Sequence, residues 1–251
     1  MTYPRPDAYV RQRALTGFGD AGQTALSRAR VAIVGVGGIG CPAAIYLAAA
    51  GVGQLTIIDP DHVSVTNLHR QVLYGAGDVG LPKAQTAAAA IRRMSPDSEV
   101  SAVPCAVTSA NAMGLLAGHD VIVDGTDTFA ARFVVADAGV ELGIPVAWGA
   151  VLGWDGHVTV FDSLVTLRDL HPAEPAGDIA SCESSAVLGT LCGQVGSAVA
   201  TEAVKIITGM GQPLVGRIAS IDARTGRWRE VELLPAPASA PSQESESVAV
   251  G

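Results

Sequence analysis

The chain is predicted to fold as a single α/β domain on a mostly parallel sheet that ends in antiparallel C-terminal strands. Three observations lead there. The run Val31–Val34 is apolar and rich in β-branched residues, as a buried parallel strand requires, and an Ala-rich helical segment follows it closely. Between the two, Gly35, Gly37 and Gly40 take the spacing G-x-G-x-x-G, with Gly38 in the same turn. A second apolar run, Leu55–Ile58, then ends in Asp59, nineteen residues beyond Gly40. A strand that turns sharply into a helix brings backbone close to a diphosphate only where side chains are missing, and the helix N-terminus offers free N–H groups to the anion. A carboxylate at the end of the next strand is placed for a ribose hydroxyl. In this order the elements read as a Rossmann-like nucleotide-binding unit, against a chance Gly-rich turn.

The bulk composition bounds the rest. The 251 residues suffice for one large α/β domain or two small ones, with a substantial core. Half of them are hydrophobic, yet no uninterrupted apolar stretch reaches the length of about eighteen that a membrane span needs. The N-terminal segment MTYPRPDAYVRQR carries charges and prolines where a signal peptide would be apolar, so a cytoplasmic protein with no membrane partner is expected. A net charge of −8 speaks against nucleic acid as a general partner. Only two lysines occur, Lys83 and Lys205. The cysteines Cys41, Cys105, Cys182 and Cys192 have no C-x-x-C spacing and read as buried small hydrophobes or one reactive thiol.

Taken in order, residues 1–29 form an N-terminal helical segment, with a short helix over Ala8–Leu15 and a second after the loop that begins TGFG. Arg11 and Arg13 lie here, and spacing alone makes them a solvated face. Residues 30–234 form the domain. After Asp59 the polar run Pro60–Gln71 lies at the carboxyl edge of the sheet, where open α/β folds bind ligands, and it carries Asp61, His62, Asn67, Arg70 and Gln71. A solvated helix start would look similar. Lys83 opens a helix to Met94, in conflict with the macrodipole, which suggests a nearby phosphate as readily as a tolerant surface lysine. Strands follow at Ser98–Pro104 and Asp120–Val123, with a short helix at Asn111–Leu116 between them.

The run Asp124–Asp127 returns to the carboxyl edge, where one carboxylate could reach a phosphate-bridging magnesium ion while another caps the helix Phe129–Leu142. Ile144–Trp148 and Gly156–Phe161 are joined by a short turn and should pair antiparallel. Residues 162–184 break the pattern and read as a mobile crossover loop, with Cys182 near its end. A small-residue helix or helix pair over Ser185–Thr208 precedes the strands Leu214–Asp222 and Trp228–Leu233. Residues 235–251, rich in Pro, Ala, Ser and Glu, read as a disordered tail.

The carboxyl edge thus collects a glycine loop, Asp59, Asn67, Arg70, Lys83 and Asp127. Hydride transfer needs the glycines and Asp59 but no phosphate-directed lysine and arginine. Phosphoryl or nucleotidyl transfer needs both cations and a metal, because its transition state spreads charge over phosphate oxygens. Chemistry on ATP is favoured.

The segments AYVRQ, VAIVGVGGIGCPAAIYLAAAGVGQLTIIDPDHVSVTNLHRQ, DVGLPKAQ, DVIVDGTD and GTLCGQVGSAVATEAVKIITG resemble the ThiF/MoeB/HesA family of bacterial relatives of ubiquitin-activating enzymes. The resemblance covers about Tyr9–Leu233. It implies that Gly35, Gly37, Gly38 and Gly40 form the ATP phosphate loop and that Asp59 holds the ribose. It further implies that Asn67, Arg70 and Gln71 are an N-x-x-R-Q motif, that Lys83 is the phosphate-binding lysine, and that Asp61 belongs to the nucleotide site. Asp127 would position magnesium, and Arg11 would reach across a homodimer into the neighbour's site. The implied reaction is adenylation of the C-terminal carboxylate of a ThiS-like or MoaD-like sulfur carrier ending in Gly-Gly, with release of pyrophosphate. A separate sulfur donor protein would then act, since no rhodanese-like domain is present. Catalysis would fall to Arg11, Arg70, Lys83 and Asp127.

The chain also departs from the family. Thr166 and Asp169 stand where a first zinc C-x-x-C pair would be, and the second pair is absent, so no zinc is expected and the crossover loop should be more mobile. Thr128 replaces an Asn. Cys182 matches a loop cysteine that links covalently to the carrier in some relatives, and an unused thiol is the plainer alternative. Cys41 and Cys192 read as packing. Other functions weighed are adenylation of a different carboxylate, a nicotinamide-dependent oxidoreductase, and a non-catalytic scaffold.

Overall fold

The computed structural model describes residues 8–173 and 186–234. Cys182, most of the crossover loop and the whole tail from 235 onward lie outside the described residues.

The elements run α1 (Val10–Arg13), α2 (Gly19–Arg28), β1 (Arg30–Val34), α3 (Gly40–Ala49), β2 (Gln54–Ile58), α4 (Lys83–Met94), β3 (Glu99–Val103), α5 (Ala112–Leu116), β4 (Val121–Asp124), α6 (Phe129–Leu142), β5 (Val146–Leu152), β6 (Asp155–Phe161), α7 (Leu167–Leu170), α8 (Gly189–Thr208), β7 (Arg217–Asp222) and β8 (Arg227–Glu232). They form one eight-stranded sheet of order β3-β2-β1-β4-β5-β6-β7-β8. The strands from β3 to β5 are parallel and those from β5 to β8 antiparallel, as the short β5–β6 turn predicts.

Alternation along β1 sends Val31 and Ile33 to one face and Ala32 and Val34 to the other, and both faces are covered. The first face packs Leu47 of α3, Ile91 of α4 and Leu191, Val195 and Val199 of α8 into one core. The second packs Leu116 of α5, Phe133 and Val135 of α6, and Leu167 of α7 into another. Because the chain leaves β1 toward β2 on one side and β4 lies on the other, the order of strands reverses at β1, and a crevice opens there at the carboxyl edge.

Close approach fixes the crevice floor. A Cβ on Gly40 would sit 2.0 Å from the Gly35 carbonyl oxygen, and one on Gly35, whose φ is +80°, would meet the Gly125 carbonyl oxygen at 2.8 Å. These glycines let the turn after β1 nest against the turn after β4.

Several boundaries differ from expectation for local reasons. Of Ser185–Thr208, which reads as one helix or a pair, Gly189–Thr208 is one continuous helix and Val187 before it bridges to Gly153. The strand expected from Leu214 begins at Arg217, because the Leu214 N–H is taken by the buried Glu202 carboxylate at 2.8 Å. The patternless run after Phe161 contains α7, which a capping box rather than periodicity specifies: Thr166 Oγ1 caps it and Asp169 reaches back to the Thr166 N–H at 2.7 Å. Among the described residues no helix is long and apolar enough to cross a membrane. β8 closes the sheet as an edge strand exposed on both faces.

Candidate nucleotide-binding site

A cavity opens at the β1/β4 switch point. Gly35, Gly37 and Gly38 line its floor, while Gly40 starts α3 and packs beneath the loop without lining it. Asp59, at the end of β2, is 4% exposed. Its Oδ2 accepts from the Val36 N–H at 2.8 Å and its Oδ1 from the Asp61 N–H at 2.9 Å, so the carboxylate is fixed beside the loop. Burial pushes its pKa up, and the Lys83 charge opposes that shift.

The polar turn after β2 folds back on the start of α4. Lys83 is 5% exposed, lines the cavity and places its Nζ 2.8 Å from Asp61 Oδ2. Arg70 Nη1 donates to the Thr66 carbonyl at 3.2 Å and lies 2.8 Å from His69 Nε2. Gln71 lines the same wall with a buried Oε1 that has no hydrogen-bond partner. Asn67 departs from expectation. It is buried but does not line the cavity, and its carbonyl accepts the Arg70 and Gln71 N–H groups, so it builds the turn that presents them.

On the opposite wall the expected division of labour between the two aspartates is corrected. Neither caps α6. Thr128 does, its Oγ1 accepting from the Ala131 N–H at 3.3 Å, while Asp124 Oδ1 accepts from the Thr126 N–H at 2.9 Å. Asp127 is thereby left exposed at the cavity rim, with no hydrogen bond or ion pair to other described residues. A carboxylate so placed fits magnesium, which takes one or two protein carboxylates together with phosphate oxygens and water.

Arg11 is exposed on α1 and does not line the cavity of its own chain. Cys41 is fully buried, and burial pushes its thiol pKa up to about 12, which makes it inert. Cys192 does more than pack: it lines the cavity, and a Cβ on Gly38 would lie 3.0 Å from its Sγ. Thr166 and Asp169 bond to each other, and no group of three or more His, Cys, Asp or Glu among the described residues is arranged for a metal.

Two features escaped the sequence reading. Cys105, Ala106 and Val107 after β3 form an apolar wall beyond Asp59, and Arg132 of α6 enters the cavity from the other side. Arg132 was within reach, because a side chain one turn into a helix leans toward that helix's N-terminus.

A glycine turn, the buried carboxylate of Asp59, the two buried cations Arg70 and Lys83 and the rim carboxylate of Asp127 meet in one cavity at the switch point of a Rossmann-like domain. The chain belongs to the ThiF family, whose model matches residues 9–242. It is 41% identical over 233 residues to the sulfur carrier protein adenylyltransferase of Thermus thermophilus, covering 90% of this chain and 86% of that one. It is likewise 41% identical over 236 residues to the probable adenylyltransferase/sulfurtransferase MoeZ of Mycobacterium tuberculosis, where 91% of this chain spans 60% of the relative. Among solved structures, MccB of E. coli with MccA-N7isoASN superposes with a TM-score of 0.80 at 19% identity, over 94% of this chain and 74% of that one. PaaA superposes with a TM-score of 0.73 at 25% identity, over 94% and 76%.

Proposed function

We propose that the protein adenylates the C-terminal carboxylate of a ubiquitin-like sulfur carrier, using ATP and releasing pyrophosphate. The observation that carries this reading is the meeting of Lys83 and Arg70 with the glycine loop in one cavity, opposite the uncommitted Asp127. The names of the Thermus and Mycobacterium relatives support the same reaction class.

A carboxylate is ionised near neutral pH, so the nucleophile needs no general base. The residues act by position and charge. Asp59 and the apolar wall at Cys105–Val107 hold the nucleoside end, the glycine turn admits the phosphates, and Lys83 and Arg70 balance their charge. Asp127 would hold magnesium, which when bound spreads the phosphate charge. Arg11, outside its own cavity, acts in the site of a second copy, so the working unit is a homodimer. The sulfur donor is a separate protein, and Cys182 is not required for adenylation.

ATP–pyrophosphate exchange with magnesium, measured against a panel of carriers ending in Gly-Gly, tests this reading. Carrier-dependent exchange is the expected result. ATP binding without exchange for any carrier would point to another carboxylate substrate, and nicotinamide binding in place of ATP would overturn the reading.

A further inference from the structure

Arg132 is 8% exposed, yet no carboxylate of the described residues lies within ion-pair distance of it. Its Nε donates to the Thr126 carbonyl at 3.2 Å, and its terminal nitrogens find no acceptor among the described residues. The guanidinium is held by aromatic faces instead, 5.3 Å from the Phe129 centroid and 5.6 Å from that of Trp148. Beside it Trp148 Nε1 is buried without a partner among the described residues, and the side chains of Asp124 and Thr126 face each other. Asp124 feels this charge without forming an ion pair with it, and the guanidinium lines the nucleotide cavity with terminal donors left unfilled by the described residues.

Its position selects the ligand. Asp59 and the Cys105–Val107 wall mark the nucleoside end over β2 and β3, and Lys83 and Arg70 serve the phosphates on that same side of the glycine turn. Arg132 stands across the cavity, on the helix after β4 and against Trp148 of β5. We propose that Arg132 receives the carboxylate of the protein tail that is to be adenylated. The inference rests on the adenylation reading and names the group that holds its second substrate.

A planar guanidinium fork matches a carboxylate and fixes its orientation, leaving one oxygen lone pair directed at the α-phosphate. That oxygen forms the new bond to the α-phosphorus of ATP. The bond from this phosphorus to the bridging oxygen of the β-phosphate breaks, and its electron pair leaves with pyrophosphate. No proton is transferred. The acyl-adenylate no longer carries the carboxylate charge, so Arg132 grips the substrate and releases the product.

The test compares binding of ThiS-like and MoaD-like carriers ending in a free Gly-Gly carboxylate with the same carriers ending in the carboxamide. The unaltered protein should bind the carboxylate form about tenfold more tightly. In Arg132→Gln both forms should bind alike, while ATP affinity stays within about twofold, since the phosphates have other cations. Arg132→Lys, which keeps charge without the fork, should show a reduced preference and serves if the Gln variant does not fold. A preference that survives in the folded variants, or a selective loss of ATP affinity, overturns the assignment while leaving adenylation intact. ATP binding with neither carrier form bound to the unaltered protein overturns the adenylation reading and this inference with it.

Discussion

Lys83 and Asp61 are tied twice: Nζ to Oδ2 at 2.8 Å, and the Lys83 N–H to the Asp61 carbonyl at 2.8 Å. The side chain of Asp61 is 56% exposed and that of Lys83 only 6%, so the pair holds a buried cation ready at a cavity wall with its partner facing water. A phosphate can displace Asp61 without stranding it. Lys83→Ala should therefore lower exchange by at least about a hundredfold while leaving the thermal midpoint near its original value. Asp61→Asn should do less, because it weakens the tether and keeps the cation. Equal loss in the two variants would mean that Asp61 meets the ligand itself.

Asp127 and Arg11 can be tested together. Asp127→Ala should abolish magnesium-dependent exchange in a folded protein, because the cavity's other carboxylates are engaged, Asp61 with Lys83 and Asp59 with the Val36 and Asp61 N–H groups. Arg11→Ala should do the same if it serves a second copy. Mixing the two inactive variants should then restore part of the activity, since a heterodimer keeps one complete site. Absence of recovery in a mixture shown to contain heterodimers would count against the shared site.

The pH dependence of stability has a traceable source in His157. Burial holds its pKa below the usual histidine value, with Asp155 opposing, and its Nδ1 lies 2.9 Å from Ser220 Oγ. The unfolded chain then binds the proton more readily than the native protein. Stability from this group is full above about pH 6.5 and falls as the pH drops below it. His171, also lowered by burial, acts in the same sense, whereas buried Asp59 and Asp124, both raised, oppose it. Denaturant midpoints from pH 7.5 to 5.5 should fall less in His157→Gln than in the parent. Parallel profiles would remove His157 as the cause.

The α7 region should be indifferent to chelators. Thr166 and Asp169 close a capping box, and Arg168 reaches Asp137 of α6 through Nε at 3.0 Å and Nη2 at 2.6 Å while lying 4.9 Å over the Phe133 ring. These contacts pin α7 without a metal. Dialysis against EDTA should leave the thermal midpoint unchanged, and Arg168→Ala should cost about 1 kcal/mol or less, because the fork is half exposed. Stoichiometric zinc in the purified protein would refute the expectation.

What the sequence disclosed were features with a fixed spacing along the chain. The glycine turn, Asp59, Lys83 and the helix Phe129–Leu142 are local patterns, and the cavity assembles them as their order suggests. What it hid depends on partners from separate elements. Arg132 means little until Phe129 and Trp148 are seen on either side of it, and Asn67 became a turn builder only through the bonds its carbonyl accepts. The helix α7 escaped because four residues fixed by a cap show no periodicity. Thr128 shows in the sequence only as a replaced Asn, and its cap on α6 is what leaves Asp127 unbound.

The edge strand β8 has a consequence for how concentrated the protein can be kept. It offers one row of unpaired backbone groups to solvent, and exposed Trp228 and Val231 would make that row adhesive to another unfinished sheet. Arg227, Arg229, Glu230 and Glu232 stand between and beside them and keep that edge hydrated. Their work is colloidal. Neutralising them should leave each molecule folded and the solution cloudy.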